Sequence, residues 1–183
     1  KNFLFLLALT ISSQNALALQ CLSGNKNFEI HQCKAETLCV SDGQKEYTLN
    51  YGDLSTESVQ CIDINFDGYL DILVSHAPSG HMKMSSAFVF NNTDNIYEKN
   101  EEISSLPCLE VNSEKKYVSG TCFSSSSCDR WSEQYSFRGD KLEIISIEGT
   151  YCDPSTGTAY SYFESYSNGR IVEKKVKHLV EQK

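Results

Sequence analysis

Several things are missing from this chain. No apolar run approaches the roughly 20 residues that a membrane-spanning helix needs, which argues against a span. No two cysteines are spaced Cys-x-x-Cys, so the usual zinc-ribbon and dithiol-redox arrangements are poor readings. There is no His-Glu-x-x-His and no Gly-x-Ser-x-Gly, the signatures of a helix-borne zinc protease and of a serine nucleophile elbow. Apolar residues do not recur with convincing helical period, and no pairwise repeat supports a propeller or solenoid. Cations are scarce, at 16 against 24 acidic residues, a net charge of −8. That balance disfavours nucleic acid and anionic membrane surfaces as partners. The expectation is therefore a protein that binds rather than an enzyme.

The first residues do carry a short apolar run, residues 3–11, after Lys1. A polar break follows, then Ala16-Leu17-Ala18. This is the pattern of a secretory signal peptide, residues 1–18, cleaved after Ala18. Cys21 lies just beyond, but Gln20 before it is too large for a lipidation site, so a lipid anchor is not expected. Residues 19–183 then form one domain, periplasmic after export. Loss of Lys1 leaves 15 basic residues against 24 acidic, a net charge of −9. Eight cysteines follow the cleavage site, and an even count in an exported chain means disulfides first.

The stretch Asp63-Ile64-Asn65-Phe66-Asp67-Gly68-Tyr69-Leu70-Asp71 organises the rest. Oxygen-bearing side chains stand at its first, third, fifth and ninth positions and glycine at its sixth, the spacing of an EF-hand-like calcium loop. Asp63, Asn65 and Asp67 would offer side-chain oxygens, Tyr69 its carbonyl, and Asp71 would close the site directly or through water. Val74 stands where an EF-hand has its bidentate glutamate, and the flanks read as strands. The expected cofactor is Ca2+, held between two strands rather than two helices. Without an ion the stretch is an acidic hairpin turn.

Alternating apolar and polar residues recur along the chain. Phe28-Glu29-Ile30-His31 and Leu38-Cys39-Val40 read as strands, and Asp42-Gly43 as a hairpin turn. Residues 100–106 suit one helical turn before Pro107. Further hairpins are expected across Asn112-Ser113-Glu114, Gly139-Asp140 and Asn168-Gly169, with a polar loop over residues 149–157. The fold class is all-β, a single antiparallel sandwich or curved meander with multiple disulfides.

The order "NFDGYLD", "FVFNN", "IYEKNEEISSL", "KKYVSG" and "DRWSEQYSFRGDKLEII", over residues 59–148, resembles a family of small exported bacterial proteins with a calcium loop. The resemblance implies a fold like that of periplasmic lysozyme inhibitors. It implies a role as immunity protein against a secreted peptidoglycan hydrolase, a lysozyme-like partner, with calcium as stabiliser. It also draws attention to Tyr117-Val118-Ser119-Gly120, read as a Ser-Gly loop that would enter the enzyme's cleft, with Arg130 and Trp131 as neighbours; a turn or bulge in a solvent-facing strand is the competing reading. The eight cysteines depart from the family pattern. A calcium-stabilised adhesion or glycan-binding module is the alternative.

Other residues carry weaker signals. His76 and His81 flank Ala77-Pro78-Ser79-Gly80, with Met82 and Met84 beyond; exposed loop histidines are favoured over a copper or zinc site. No spacing among Glu101, Glu102, Glu110 and Glu114 singles out a glycosidase pair. Tyr160, Tyr162 and Tyr166 fall on one strand face by period two. Eight cysteines allow 105 pairings and the sequence does not choose among them. Placement on strands paired across a turn suggests Cys108 with Cys122, while Cys128 and Cys152 flank the next hairpin and could close it at its base. That leaves Cys39 with Cys61 and Cys21 with Cys33.

Overall fold

The computed structural model describes residues 18–179, apart from Asp53 and Ser127. The expected leader, residues 1–18, thus lies outside the described residues except for Ala18. Among the described residues the alternation becomes fourteen strands and one short helix, arranged as three antiparallel meanders. The first sheet holds β1 (Leu19–Ser23), β2 (Lys26–Lys34), β3 (Thr37–Ser41) and β4 (Glu46–Asn50). The second holds β5 (Thr56–Ile62), β6 (Asp71–His76), β7 (Ser85–Asn91) and β8 (Ile96–Asn100). Helix α1 (Glu101–Ser104) links it to the third. That sheet runs β9 (Glu110–Asn112), β10 (Tyr117–Ser124), β11 (Arg130–Arg138), β12 (Lys141–Cys152), β13 (Ala159–Ser167) and β14 (Arg170–His178). The all-β class holds, but there are three sheets where one sandwich or meander was expected.

The second sheet is the middle layer, and its period of two feeds two different cores. Ile72, Val74, Phe88 and Phe90 point one way and pack with Phe28, Ile30, Leu38, Val40 and Leu49 of the first sheet. Phe28, Phe90 and Tyr97 meet there edge-on or tilted, with centroids 5.2 to 5.6 Å apart. Leu73 and Ala87 point the other way, onto Ile103, Leu106, Val118 and the partly buried Tyr135, Phe137 and Leu142. Every residue of β6 is buried because both its faces are covered.

Local chemistry sets the turns. Asp42 accepts the Gln44 and Lys45 N–H groups at 3.0 and 2.8 Å, and Gly43 supplies the positive φ of the β3–β4 hairpin. Asn168 and Gly169 both take positive φ, 50° and 70°, as a type I′ turn demands. The Asn100 side chain caps α1 by accepting from Ile103 N–H. β12 extends to Cys152, so the polar loop expected from residue 149 begins only at Asp153.

Four disulfides close the chain: Cys21–Cys61, Cys33–Cys39, Cys108–Cys122 and Cys128–Cys152. The last two are the pairs suggested by sequence, although Cys108 and Cys128 lie just before β9 and β11 rather than on paired strands. The first two replace the expected Cys39–Cys61 and Cys21–Cys33. Cys33 and Cys39 sit on adjacent strands across the tight β2–β3 turn, within reach of one another at a Cα separation of 5.6 Å. Cys21 is thereby left to tie the first sheet to the second.

Candidate functional site: the acidic loop and a cationic groove

The acidic loop between β5 and β6 touches all three layers. Ile64 is fully buried in the second core, while Tyr69 and Leu70 pack on the first. Phe66 meets Phe137 of β11 edge-on at 5.9 Å. The Ser23 hydroxyl of β1 donates to the Leu70 carbonyl and sits 3.1 Å from the Tyr97 hydroxyl.

Within the loop the acids hold backbone. Asp63 accepts from the Asp67 and Gly68 N–H groups, each at 3.1 Å, and Asp67 accepts from Tyr69 N–H at 2.9 Å. Phe66 and Gly68 take positive φ, 63° and 92°. For Phe66 this conformation costs about 1–2 kcal/mol, which the surrounding bonds must offset. Asp71 does not behave as the closing ligand that its spacing suggests. It is buried in the interior, and its two oxygens accept from Ile64 N–H at 2.8 Å and Phe90 N–H at 2.9 Å. Burial pushes its carboxyl up to about 7, against the pull of those two amides.

As a calcium donor set the loop fits in part. Asp63, Asn65 and Asp67 are hard oxygen donors on one short turn, as the ion requires. Asp71 is already engaged with two amides, and no three His, Cys, Asp or Glu groups form a metal cluster among the described residues. A polar hollow of about 490 Å³ lies beside the loop, lined in part by Asn65, Asp67, Asn91, Glu98 and Asp140.

The residues expected to meet a partner separate into two groups. Ser119 and Gly120 are not on a protruding loop. They lie inside β10, paired with β9 and β11, and both are buried. A Cβ on Gly120 would lie 3.1 Å from the Phe123 ring and 3.4 Å from the Pro107 carbonyl, so glycine is there for close packing. Tyr117 begins the same strand, half-buried, and its hydroxyl accepts from Asn112. The strand reading of this stretch thus prevails over the loop reading, but the strand is buried here rather than solvent-facing, which a Ser-Gly pair does not reveal because it reads alike in a loop and in a tightly packed strand.

Arg130 and Trp131 both border an open surface, a groove of about 570 Å³ on the third sheet, but only Arg130 turns its side chain into it: Trp131 is registered with Phe123 and Gly149 and turns its ring to the other side. Its other walls include Ser132, Glu148, Phe163, Lys175 and Lys177. The opposite face of that sheet is aromatic. Phe123 stacks on Trp131 at 5.3 Å, Tyr151 on Tyr160 at 5.2 Å, and Tyr162 lies nearby. Tyr160 and Tyr162 share this face, and the Tyr166 hydroxyl donates to Glu164 on it. His76 and His81 are not paired loop groups: His76 is buried at the end of β6 and His81 is exposed.

No family model and no curated relative matches the chain. Among solved structures it is similar to one described as a Xanthomonas Type IV Secretion System related protein, with a TM-score of 0.59. The two are 15% identical, and the match covers 90% of this chain and 93% of that one. At that identity the likeness is one of fold.

Proposed function

We propose that this protein is exported to the periplasm, where it binds and inhibits a peptidoglycan hydrolase as a lysozyme-inhibitor-like or immunity protein. It acts by docking and performs no chemistry of its own. The observation that carries the reading is the resemblance over residues 59–148. Those residues make up the middle sheet, α1 and the first strands of the third sheet, which share the second core. The resemblance therefore follows one packed unit and not scattered motifs. Four disulfides fit an oxidising compartment. No helix among the described residues is long and apolar enough to cross a membrane.

Calcium enters this proposal as a stabiliser of the loop, through Asp63, Asn65 and Asp67 with the Tyr69 carbonyl. Binding to the native state alone raises apparent stability by mass action. Calcium should raise the melting temperature, chelation should lower it, and Asp67→Ala should remove the response. A melting curve indifferent to calcium rejects this part.

The inhibitory function is tested by clearing of a cell-wall suspension. The purified protein, added at rising ratio to a basic lysozyme and to any peptidoglycan hydrolase encoded beside its own gene, should stop clearing near equimolar ratio with at least one of them. If none of these enzymes binds or slows, the glycan- or protein-binding module takes its place. The aromatic face of the third sheet favours that second reading, since rings with polar tips suit such contacts.

A further inference from the structure

We propose that the groove on the third sheet, with edge strand β14, is the surface that meets the hydrolase, and that its occupant is a carboxylate-bearing lip of that enzyme's cleft. This inference rests on the function proposed above.

Charge is unevenly distributed in this protein. The nine residues of β14 hold Arg170, Lys174, Lys175 and Lys177 against Glu173 alone, a net +3 within a chain of −8. All nine are exposed, and β14 is the outer strand of its sheet. Cross-strand partners share a face, so the pairing of Phe163 with Lys175 and of Ser161 with Lys177 turns those two lysines into the groove. Arg130 enters the same groove from β11, three strands away, opposite Thr150.

The cations differ in how far they are already engaged. Lys174 faces the other side and is paired with Glu164 at 2.6 Å. Lys175 pairs with Glu173 of its own strand and lies 6.0 Å from the Phe163 ring centre. Arg130 and Lys177 form no ion pair among the described residues. Protecting the edge from sheet-to-sheet pairing would explain lysines on β14. It would not explain Arg130, which lies on an interior strand and converges on the same hollow.

An enzyme that cleaves glycosidic bonds places two carboxylates beside the scissile bond. Covering them calls for cations with open valence, and a guanidinium can bind a carboxylate through two parallel hydrogen bonds. The groove spans five strands, about 19 Å at the usual strand spacing. The acidic remainder of the chain would draw a basic hydrolase, while this patch fixes which side of the enzyme it meets.

The test compares Arg130→Glu with Lys177→Glu, as a double variant, against a control reversal of Lys115 and Lys116 on the β9–β10 turn. Probes are a basic lysozyme and any peptidoglycan hydrolase encoded beside this protein's gene, in the clearing assay. The groove variant should need at least about tenfold more protein for half-inhibition; the control should stay within about twofold. If the reversal fails to fold, Arg130→Gln with Lys177→Gln reads the same effect. Equal inhibition by wild type and groove variant overturns this inference alone. Failure of the wild-type chain to inhibit either enzyme overturns the proposed function with it. Retention of wild type, but not of the groove variant, on purified cell wall with inhibition unchanged assigns the groove to an anionic glycan and also overturns it.

Discussion

Asp71 and Ile64 close the acidic loop from the inside: the buried carboxylate accepts the Ile64 N–H at 2.8 Å while its other oxygen accepts Phe90 N–H at 2.9 Å. One side chain thus joins the loop, β6 and β7. Asp71→Leu leaves two buried donors unpaired, and each such donor costs about 1–3 kcal/mol. The expected loss is about 2–6 kcal/mol in urea unfolding. Asp71→Asn, which keeps one acceptor, should lose about half as much. Equal stability of all three proteins would mean that the amides find other partners.

Much of this fold could be read from alternation and turn chemistry. Asp42-Gly43, Gly139-Asp140 and Asn168-Gly169 placed three hairpins, because positive φ and Asx bonds are local properties. The layer count was not legible. β6 is apolar on both faces, and a run such as Ile72-Leu73-Val74 signals double burial without saying what covers each face. The acidic loop announced itself by spacing, yet spacing cannot tell whether Asp71 faces an ion or two amides. The groove went unread apart from Arg130 and Trp131, since its walls come from strands far apart in sequence. The signal that could have found it was the cluster of Lys174, Lys175 and Lys177 in an acidic chain.

The disulfides should differ in worth. Cys21–Cys61 closes a separation of 40 residues and Cys33–Cys39 one of 6. On the chain-entropy view these contribute about 4 and about 2 kcal/mol. Replacing each pair by serine, with melting under non-reducing conditions, should give the larger drop for Cys21 with Cys61. Peptide mapping that recovers Cys39 linked to Cys61 would refute the pairing itself.

His76 predicts an acid-side loss of stability. The Ser86 hydroxyl donates to the Tyr51 carbonyl at 3.0 Å, so it must accept from His76 Nε2–H at 2.9 Å. That leaves Nδ1 as a bare, buried nitrogen with no acceptor nearby for an added proton. Burial first, and then the charge of Lys99, pull the imidazole below its ordinary 6.5. A folded value below the unfolded one means full stability above pH 6.5 and progressive loss as pH falls through it. The melting temperature should decline below that point, and the decline should be shallower in His76→Gln. A slope identical in the two proteins would assign it to carboxylates.

Gly149 should tolerate no side chain, and the reason lies in the register of the third sheet. It stands between Trp131 on β11 and Tyr162 on β13. A Cβ there would fall 2.4 Å from the Arg130 carbonyl and 2.9 Å from both Trp131 Cβ and Tyr162 Cε1. The carbonyl is backbone within a paired strand and cannot swing aside, so the strand itself must shift. Overpacking of this kind costs about 1–3 kcal/mol. The strain would spread to Trp131, which stacks on Phe123 with planes 9° apart, and to Arg130 on the groove side. Gly149→Ala should therefore lower the melting temperature and change the emission of Trp131, the single tryptophan of the chain. If the melting temperature stays and only the emission moves, the sheet has yielded locally by rotation of the Tyr162 ring. If neither moves, the close approach of β11 to β12 at this point is wrong.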